Sequence, residues 1–357
     1  MIGSIDARVS SVRTSVEDMD RGAQFVNAAA LVAVLATLGA FLFAPALTVF
    51  PLGAFLAVVL YGWAAHQANT AKLLMFLMTA STLVILGLIT VYLLVRSVPA
   101  FQLMGLDIVT RFEQPFWSTS DGVFSLVPMI WGTLVTTLLA MAIAAPLGVA
   151  GALFISEIAP GWVREVVKPG VEILAGVPSI VYGYIGYVII NTYMSEEFGL
   201  ANFGSLFAAG LIIGVMALPT VVSVAEDAID SVPESMKSGS LALGATDWQT
   251  IKSVTVPASF SGVSAAVLLG VGRAVGETMA VTVMLPHSQV LPQPLYDVFE
   301  GTETLTSLIA SQYGIASGDQ MAALFAAGVV LFVTVLGLSI ASQLVEAHME
   351  QKLGGQR

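Results

Sequence analysis

Residues 73–95 read LLMFLMTASTLVILGLITVYLLV, a run without a single charged side chain. A helix of about 20 apolar residues spans the hydrocarbon core of a bilayer, which is about 30 Å thick. No water satisfies backbone polar groups within that core, so a spanning segment must pair them internally, as a helix does. The stretch therefore predicts a transmembrane helix.

The rest of the chain has the same character. It is 57% hydrophobic and 10% charged, with a mean hydropathy of +0.89, whereas soluble domains carry about 25% charged residues. Eight apolar runs could span a membrane, at about 25–48, 50–65, 73–95, 126–155, 171–192, 205–225, 261–285 and 321–345. We predict an all-α, polytopic transmembrane helical bundle. Because 50–65 is short, 25–65 could instead be a re-entrant hairpin.

The positive charges predict the orientation, because loops rich in Lys and Arg stay in the cytoplasm. With the N-terminus inside, all but three of the 13 Lys and Arg residues are cytoplasmic. They are Arg8, Arg13, Arg21, Lys72, Arg164, Lys168, Lys237, Lys252, Lys352 and Arg357. Arg96 and Arg111 fall outside, and Arg273 falls within a span. We expect a multi-pass protein of the cell membrane with both termini cytoplasmic.

The predicted outer loops are acidic. They carry Asp107, Glu113, Asp121, Glu196, Glu197, Asp297, Glu300, Glu303 and Asp319. A negative surface repels small free anions, so an anionic substrate would be delivered by a docked partner. The net charge of -11 could equally reflect a high-salt habitat.

Several kinds of site are disfavoured. The absence of cysteine excludes disulfides, thiol catalysis and Cys-based metal sites. His66, His287 and His348 have no second ligand at metal-binding spacing, so we expect them to be solvated. No Ser and His pair shares membrane depth, which disfavours an intramembrane hydrolase. We expect no catalytic residue, metal or cofactor in this chain.

The cytoplasmic loop 226–260 contains helix signals. Ser231 with Glu234 predicts one capping box, and Thr246 with Gln249 predicts another. The first helix is expected to stop at Gly244 and the second before Pro257. This helix-turn-helix exposes a small apolar edge, which favours insertion into the groove of a partner.

Three motifs carry a family resemblance. Gly244, nine residues and then Val-Thr-Val-Pro at 254–257 resemble the EAA loop of ABC importer permeases, with Ser-Gly-Ser at 238–240 in place of Glu-Ala-Ala. EILAGVPSIVYG (172–183), ALGATDWQTI (242–251) and GRAVGETMAV (272–281) resemble the phosphate-specific transport permeases. GETMAV is similar to the PstC-type subunit, whereas the PstA-type partner typically has GETAPL.

The resemblance implies a type I ABC importer permease with a six-span core. It implies a second, PstA-like permease, PstB-like ATPases that bind ATP and Mg, an external PstS-like phosphate-binding protein and lipid as partners, and no nucleic acid. The chain has no G-x-x-x-x-G-K-[ST] motif, so ATP hydrolysis would come from a separate polypeptide. The predicted ATPase-docking residues are Leu241, Ala242, Leu243, Gly244, Ala245, Thr246 and Asp247.

The resemblance covers about 73–345 and divides the chain. We expect a cytoplasmic amphipathic segment at 1–24 rather than a signal peptide, and an N-terminal helical hairpin at 25–72. The permease domain at 73–345 then includes the loop 226–260, and a cytoplasmic tail follows at 346–357.

Two charges lie in the apolar run 261–285. Arg273 and Glu277 are four residues apart, which places them on one face of a continuous helix. Each charge costs about 3 kcal/mol at the bilayer centre, and intramembrane charges are usually functional. We predict that Arg273 binds phosphate through two hydrogen bonds and that Glu277 accepts one from a protonated phosphate oxygen, which a fully ionised sulfate lacks. Thr278 completes the predicted substrate-binding residues. A purely structural ion pair is the alternative.

Other functions stay open at this point. The chain could be a permease for another oxyanion or the PstA-type partner subunit. From a different class, it could be an ATP-independent channel or a secondary transporter, although the helical cytoplasmic loop disfavours that.

Overall fold

The computed structural model describes residues 20–200 and 204–354. Most of the predicted amphipathic segment 1–24 lies outside the described residues. The chain forms two compact units, residues 1–91 and 92–357. The division predicted at residue 72 falls inside a helix that runs from Gln67 to Met104, and it stays a prediction.

The first unit is a helical hairpin followed by the start of a long helix. Its elements are α1 (Arg21–Phe43), a 3₁₀ turn (Pro45–Leu47), α2 (Val49–Ala65) and α3 (Gln67–Met104), which belongs to this unit up to Val91. Gly62 lets the helices approach, because a Cβ there would lie 2.7 Å from Val26 Cγ1 and 2.5 Å from Thr70 Oγ1. The His66 side chain is partly buried, with Nδ1 4.0 Å from Asp20 Oδ2.

The second unit begins with the rest of α3 and is almost entirely helical. It continues with α4 (Asp107–Thr110), the antiparallel pair β1 (Trp117–Ser118) and β2 (Val123–Phe124), α5 (Val127–Leu153), α6 (Gly161–Gly176), α7 (Ser179–Ile185), α8 (Thr192–Phe198), α9 (Leu206–Asp230), α10 (Glu234–Ala242), α11 (Asp247–Thr250), α12 (Val256–Ala258), α13 (Phe260–Val275), α14 (Met279–Met284), α15 (Leu305–Gln312) and α16 (Gly318–Gly354). Single π-helical turns follow α5 (Phe154–Ile158), α7 (Gly186–Asn191) and α11 (Ile251–Thr255).

Six helices in the described part of the chain are long and apolar enough to cross a membrane, and two bent pairs raise the number to as many as eight. The six are Arg21–Phe43, Pro45–Ala65, Gln67–Met104, Val127–Ile158, Leu206–Asp230 and Gly318–Ala341. The pairs are Gly161–Gly176 with Ser179–Phe198, bent by 89°, and Asp247–Ala258 with Phe260–Val275, bent by 69°. The predicted all-α bundle, with a six-span permease core after an N-terminal helix pair, is confirmed.

The centre of the second unit is the contact of α9 with α5 and α13. A Cβ on Gly148 of α5 would lie 2.7 Å from Val221 Cγ1, and one on Gly270 of α13 would lie 2.7 Å from Val221 Cγ2. On α9 itself, a Cβ on Gly214 would lie 2.9 Å from the Ala140 carbonyl oxygen of α5. Small residues let transmembrane helices pack closely, so these glycines bring three helices together.

Candidate functional site

The predicted continuous helix 261–285 is interrupted at the charged motif. α13 ends at Val275, Gly276 forms a turn, and α14 begins at Met279. The Glu277 carboxylate Oε1 accepts a hydrogen bond from the backbone N–H of Ala280 at 3.0 Å, so it caps the second helix. The prediction that Arg273 and Glu277 share one continuous helical face is therefore wrong.

Arg273 contacts the neighbouring helix through one edge of its guanidinium. Its Nε donates to the Met216 carbonyl oxygen of α9 at 3.1 Å, and the side chain stays partly exposed. Among the described residues, neither Nη atom makes a hydrogen bond, and no ion pair joins Arg273 to Glu277 within 4.0 Å. The two Nη groups can therefore bind a planar pair of oxygen atoms. A direct ion pair that only holds helices together is not what this geometry shows.

The third predicted residue lies at the same break. Thr278 Oγ1 donates to the Gly276 carbonyl oxygen at 3.1 Å, and the side chain is partly exposed. Thr306, at the start of α15, donates from Oγ1 to the Glu277 carbonyl oxygen at 2.6 Å. A cavity of about 380 Å³ opens beside both threonines. Its other lining residues are Ile309, Ala310, Tyr313 and Leu331.

The segment after α14 is folded against the helices rather than forming a free outer loop. Glu303 was expected on the exposed acidic face, but it is 0% exposed. Its carboxylate accepts from Gln289 Nε2 and Ser311 Oγ, both at 2.8 Å, and lies 2.9 Å from His287 Nδ1. The Glu303 backbone packs against Gly132, where a Cβ would lie 2.4 Å from its carbonyl oxygen. The exposed Glu303 is therefore a wrong prediction, whereas the His287 side chain is 53% exposed while it contacts that carboxylate.

The loop 226–260 forms two helices, as expected. The Thr246–Gln249 capping box is present, with bonds of 2.9 and 3.3 Å, and Gly244 ends the first helix at φ +88°. The Ser231–Glu234 box is wrong, because α9 continues to Asp230 and Ser231 terminates that helix instead. The path also stays helical through Pro257, because a π-helical turn (Ile251–Thr255) leads into α12.

The predicted docking residues form an exposed edge, in which Leu243 is 92% exposed. Leu241, Ala242, Gly244, Thr246 and Asp247 are also exposed, and Ala245 is partly buried. Trp248 is 66% exposed beside them and was missed. A tryptophan inside a polar capping box was the available signal, since exposed aromatic residues are typical of binding hot spots.

Two partly buried ion pairs were also missed. Lys237 Nζ of α10 lies 2.6 Å from Glu157 Oε1, and Lys168 Nζ of α6 lies 2.9 Å from Glu226 Oε2. The sequence indicated only that both lysines are cytoplasmic. Their partners are far away along the chain, so no local pattern identified them.

The C-terminal part of the chain matches a known family. The model for "Binding-protein-dependent transport system inner membrane component" matches residues 144–353. The "Probable ABC transporter permease protein YqgH" of Bacillus subtilis is 40% identical over 228 residues, covering 63% of this chain and 73% of its own. The "Phosphate transport system permease protein PstC" of Haemophilus influenzae is 34% identical over 260 residues, covering 68% of this chain and 82% of its own.

Solved transporters share the fold. A bacterial alginate ABC transporter, in complex with a periplasmic protein that holds an alginate pentasaccharide, has a chain with a TM-score of 0.53 at 18% identity, covering 81% of this chain and 98% of its own. An inward-facing MetNI methionine ABC transporter has a chain with a TM-score of 0.51 at 20% identity, covering 63% of this chain and 95% of its own. At these identities the likeness concerns the fold alone.

Proposed function

Because this chain belongs to the family of binding-protein-dependent transport system inner membrane components, we propose that it is the permease subunit of an ATP-driven phosphate importer. It is a multi-pass membrane protein. The relatives named phosphate transport permeases support phosphate as the substrate. They carry the PstC designation, which favours that subunit over its PstA-type partner.

The observation that carries the proposal is the broken helix between Arg273 and Met279. It presents a guanidinium and a carboxylate, both partly exposed, on a segment that is otherwise apolar. With Nε bound to Met216, the two Nη groups of Arg273 donate to two phosphate oxygens. A break of this kind is typical of transporter substrate sites, where helix ends face the ligand.

Selectivity would follow from the acceptors at the break. Glu277 Oε2 has no partner among the hydrogen bonds of the described residues, because Oε1 is the atom that caps α14. The Thr278 hydroxyl donates its proton to Gly276 and keeps lone pairs. Either oxygen can accept the hydrogen bond that a protonated phosphate donates. A fully ionised sulfate offers no such proton and is repelled by the carboxylate.

Transport in this proposal needs partners. ATPases bind ATP and Mg and dock on the exposed edge of α10 and α11 at the cytoplasmic face, and this chain has no cofactor of its own. A second permease completes the path, and an external binding protein delivers phosphate past the acidic outer face. Both chain termini lie in the cytoplasm.

The test is competitive uptake in proteoliposomes that contain the complete importer. Phosphate uptake should require ATP inside the vesicles and the binding protein outside. Arsenate should compete, whereas sulfate and molybdate should not. Uptake that continues without ATP would show a channel or secondary transporter, and stronger competition by sulfate or molybdate would show a permease for another oxyanion.

A further inference from the structure

The cytoplasmic helix α10 is exposed along most of its length. Lys237 and Ser240 are the exceptions. The Lys237 side chain is 14% exposed, and its Nζ lies 2.6 Å from Oε1 of Glu157, whose side chain is 11% exposed. Three residues further along the same face of the helix, Ser240 accepts a hydrogen bond from Thr250 of α11 at 3.0 Å. The two helices of the cytoplasmic loop are thus joined to each other, and one charged contact joins α10 to the helix bundle.

The partner carboxylate belongs to a corner with many cross-links. Glu157 lies in the π-helical turn that ends α5. The preceding residue, Ser156, donates from Oγ to Asp230 at the end of α9. From α6, Arg164 donates through Nε to the Ile155 carbonyl oxygen at 2.8 Å and through Nη2 to that of Ser156. A displacement of Glu157 therefore moves the ends of three helices together.

That corner is continuous with the candidate substrate site. α5 packs against α9 at Gly148, where only a hydrogen fits beside Val221. Met216 also lies on α9, and its carbonyl oxygen accepts a hydrogen bond from Arg273 Nε at 3.1 Å. Packed helices transmit displacements because tightly filled interfaces deform little.

We propose that the Glu157–Lys237 ion pair is the contact through which movement of α10 reaches α5 and α9, so that both side chains are positioning residues for transport. This rests on the proposed function, in which an ATPase moves α10. Because this ion pair is shielded from water, it keeps Lys237 and Glu157 together whether α10 moves toward the helix bundle or away from it. Removing one partner leaves an uncompensated charge, which is energetically costly. The apolar contacts of an exposed helix would not keep that helix attached to the bundle in this way.

The test measures phosphate moved per ATP hydrolysed by the complete importer in proteoliposomes. Glu157→Gln and Lys237→Met each keep the side-chain size and should lower this ratio by at least about threefold. The exchange variant, Glu157→Lys with Lys237→Glu, should restore it to within about twofold. Glu165→Gln and Lys252→Met are matched controls, because both side chains are exposed and neither forms an ion pair among the described residues.

An unchanged ratio in both single variants overturns the proposal, as does an exchange variant no better than the singles. A purely stabilising pair would lower the amount of complex and both rates together, leaving the ratio unchanged. If the unaltered importer hydrolyses ATP but moves no phosphate, the proposed function is wrong instead. In that case, stimulation of ATP hydrolysis by the binding protein tests the ion pair. Both single variants should lose this stimulation if the proposal holds and keep it if the proposal is wrong.

Discussion

The Thr306 hydroxyl lies 2.6 Å from the backbone carbonyl oxygen of Glu277, across 29 positions of the chain. This bond joins the start of α15 to the break between α13 and α14. The carbonyl belongs to a residue outside regular helix, so no intrahelical N–H is in position to satisfy it. The segment after α14 therefore helps to hold the interrupted helix in its geometry.

Removing that hydroxyl should disturb the break. Thr306→Val leaves the carbonyl without its donor, so we expect a loss of about 1 kcal/mol in the free energy of unfolding and slower phosphate uptake. Thr306→Ser should retain both the stability and the phosphate uptake rate of the unaltered protein. Thermal unfolding in detergent and initial uptake rates measure the effect. Thr334→Val is the control, because its hydroxyl bonds only within α16. Equal behaviour of the two valine variants would argue against the role of Thr306.

The charge of Glu277 can be separated from its capping role. Glu277→Gln keeps an oxygen that accepts from Ala280 N–H but removes the negative charge, so the fold should persist. Phosphate uptake should fall roughly tenfold, because a hydrogen bond to a charged group is lost. Sulfate exclusion should also weaken. Glu172→Gln, at an exposed position of α6, is the control. Normal phosphate uptake together with intact sulfate exclusion would contradict the role of the carboxylate.

Arg273 should not tolerate lysine. Arg273→Lys keeps one positive charge and can still donate to Met216, but it loses the planar pair of Nη donors. We expect the KM for phosphate uptake to rise roughly tenfold, with normal amounts of protein in the membrane. Arg96→Lys, on α3, controls for the substitution itself. A KM for Arg273→Lys that matches this control would count against bidentate binding.

Gly183 should be needed for the contact of α7 with α14. A Cβ at this position would lie 2.7 Å from the Ala280 Cα, which is backbone and cannot rotate away. Gly183→Ala should therefore destabilise the protein by about 1–3 kcal/mol through overpacking. Gly337→Ala in α16 meets nothing within 4 Å and should be neutral or slightly stabilising. Thermal unfolding of both variants tests this, and a neutral Gly183→Ala would show that the two helices can separate.

In the proposed function, the exposed edge of the loop 226–260 should bind the ATPase. Leu243→Arg alters a side chain with almost no intramolecular contact, so folding should be unaffected. Co-purification of the ATPase should be lost, because a charge replaces an apolar anchor. Ser235→Arg, at another exposed position of α10, should co-purify normally. Retention of the ATPase by Leu243→Arg would place the docking surface elsewhere.

The candidate site was only partly predictable. Arg273 and Glu277 could be singled out because a charge in an apolar run stands out in any single sequence. Their arrangement was not found, because Gly276 is compatible with helix and the interruption depends on Glu277 capping Ala280. Glu303 was misplaced for a related reason. Only the folded chain brings Gln289 and Ser311 to a carboxylate that composition alone assigns to the surface.

The linear sequence was enough to predict the helical membrane class, most of the apolar spans, the Thr246 capping box and the turn at Gly244. These depend on hydropathy and on hydrogen bonds within a few residues, which a linear chain records directly. The pairing of Lys237 with Glu157, 80 positions away, and the bond from Arg273 to Met216, 57 positions away, are visible only in the folded chain. Such contacts depend on which helices pack side by side, and that is set by the fit of many side chains at once rather than by any local pattern.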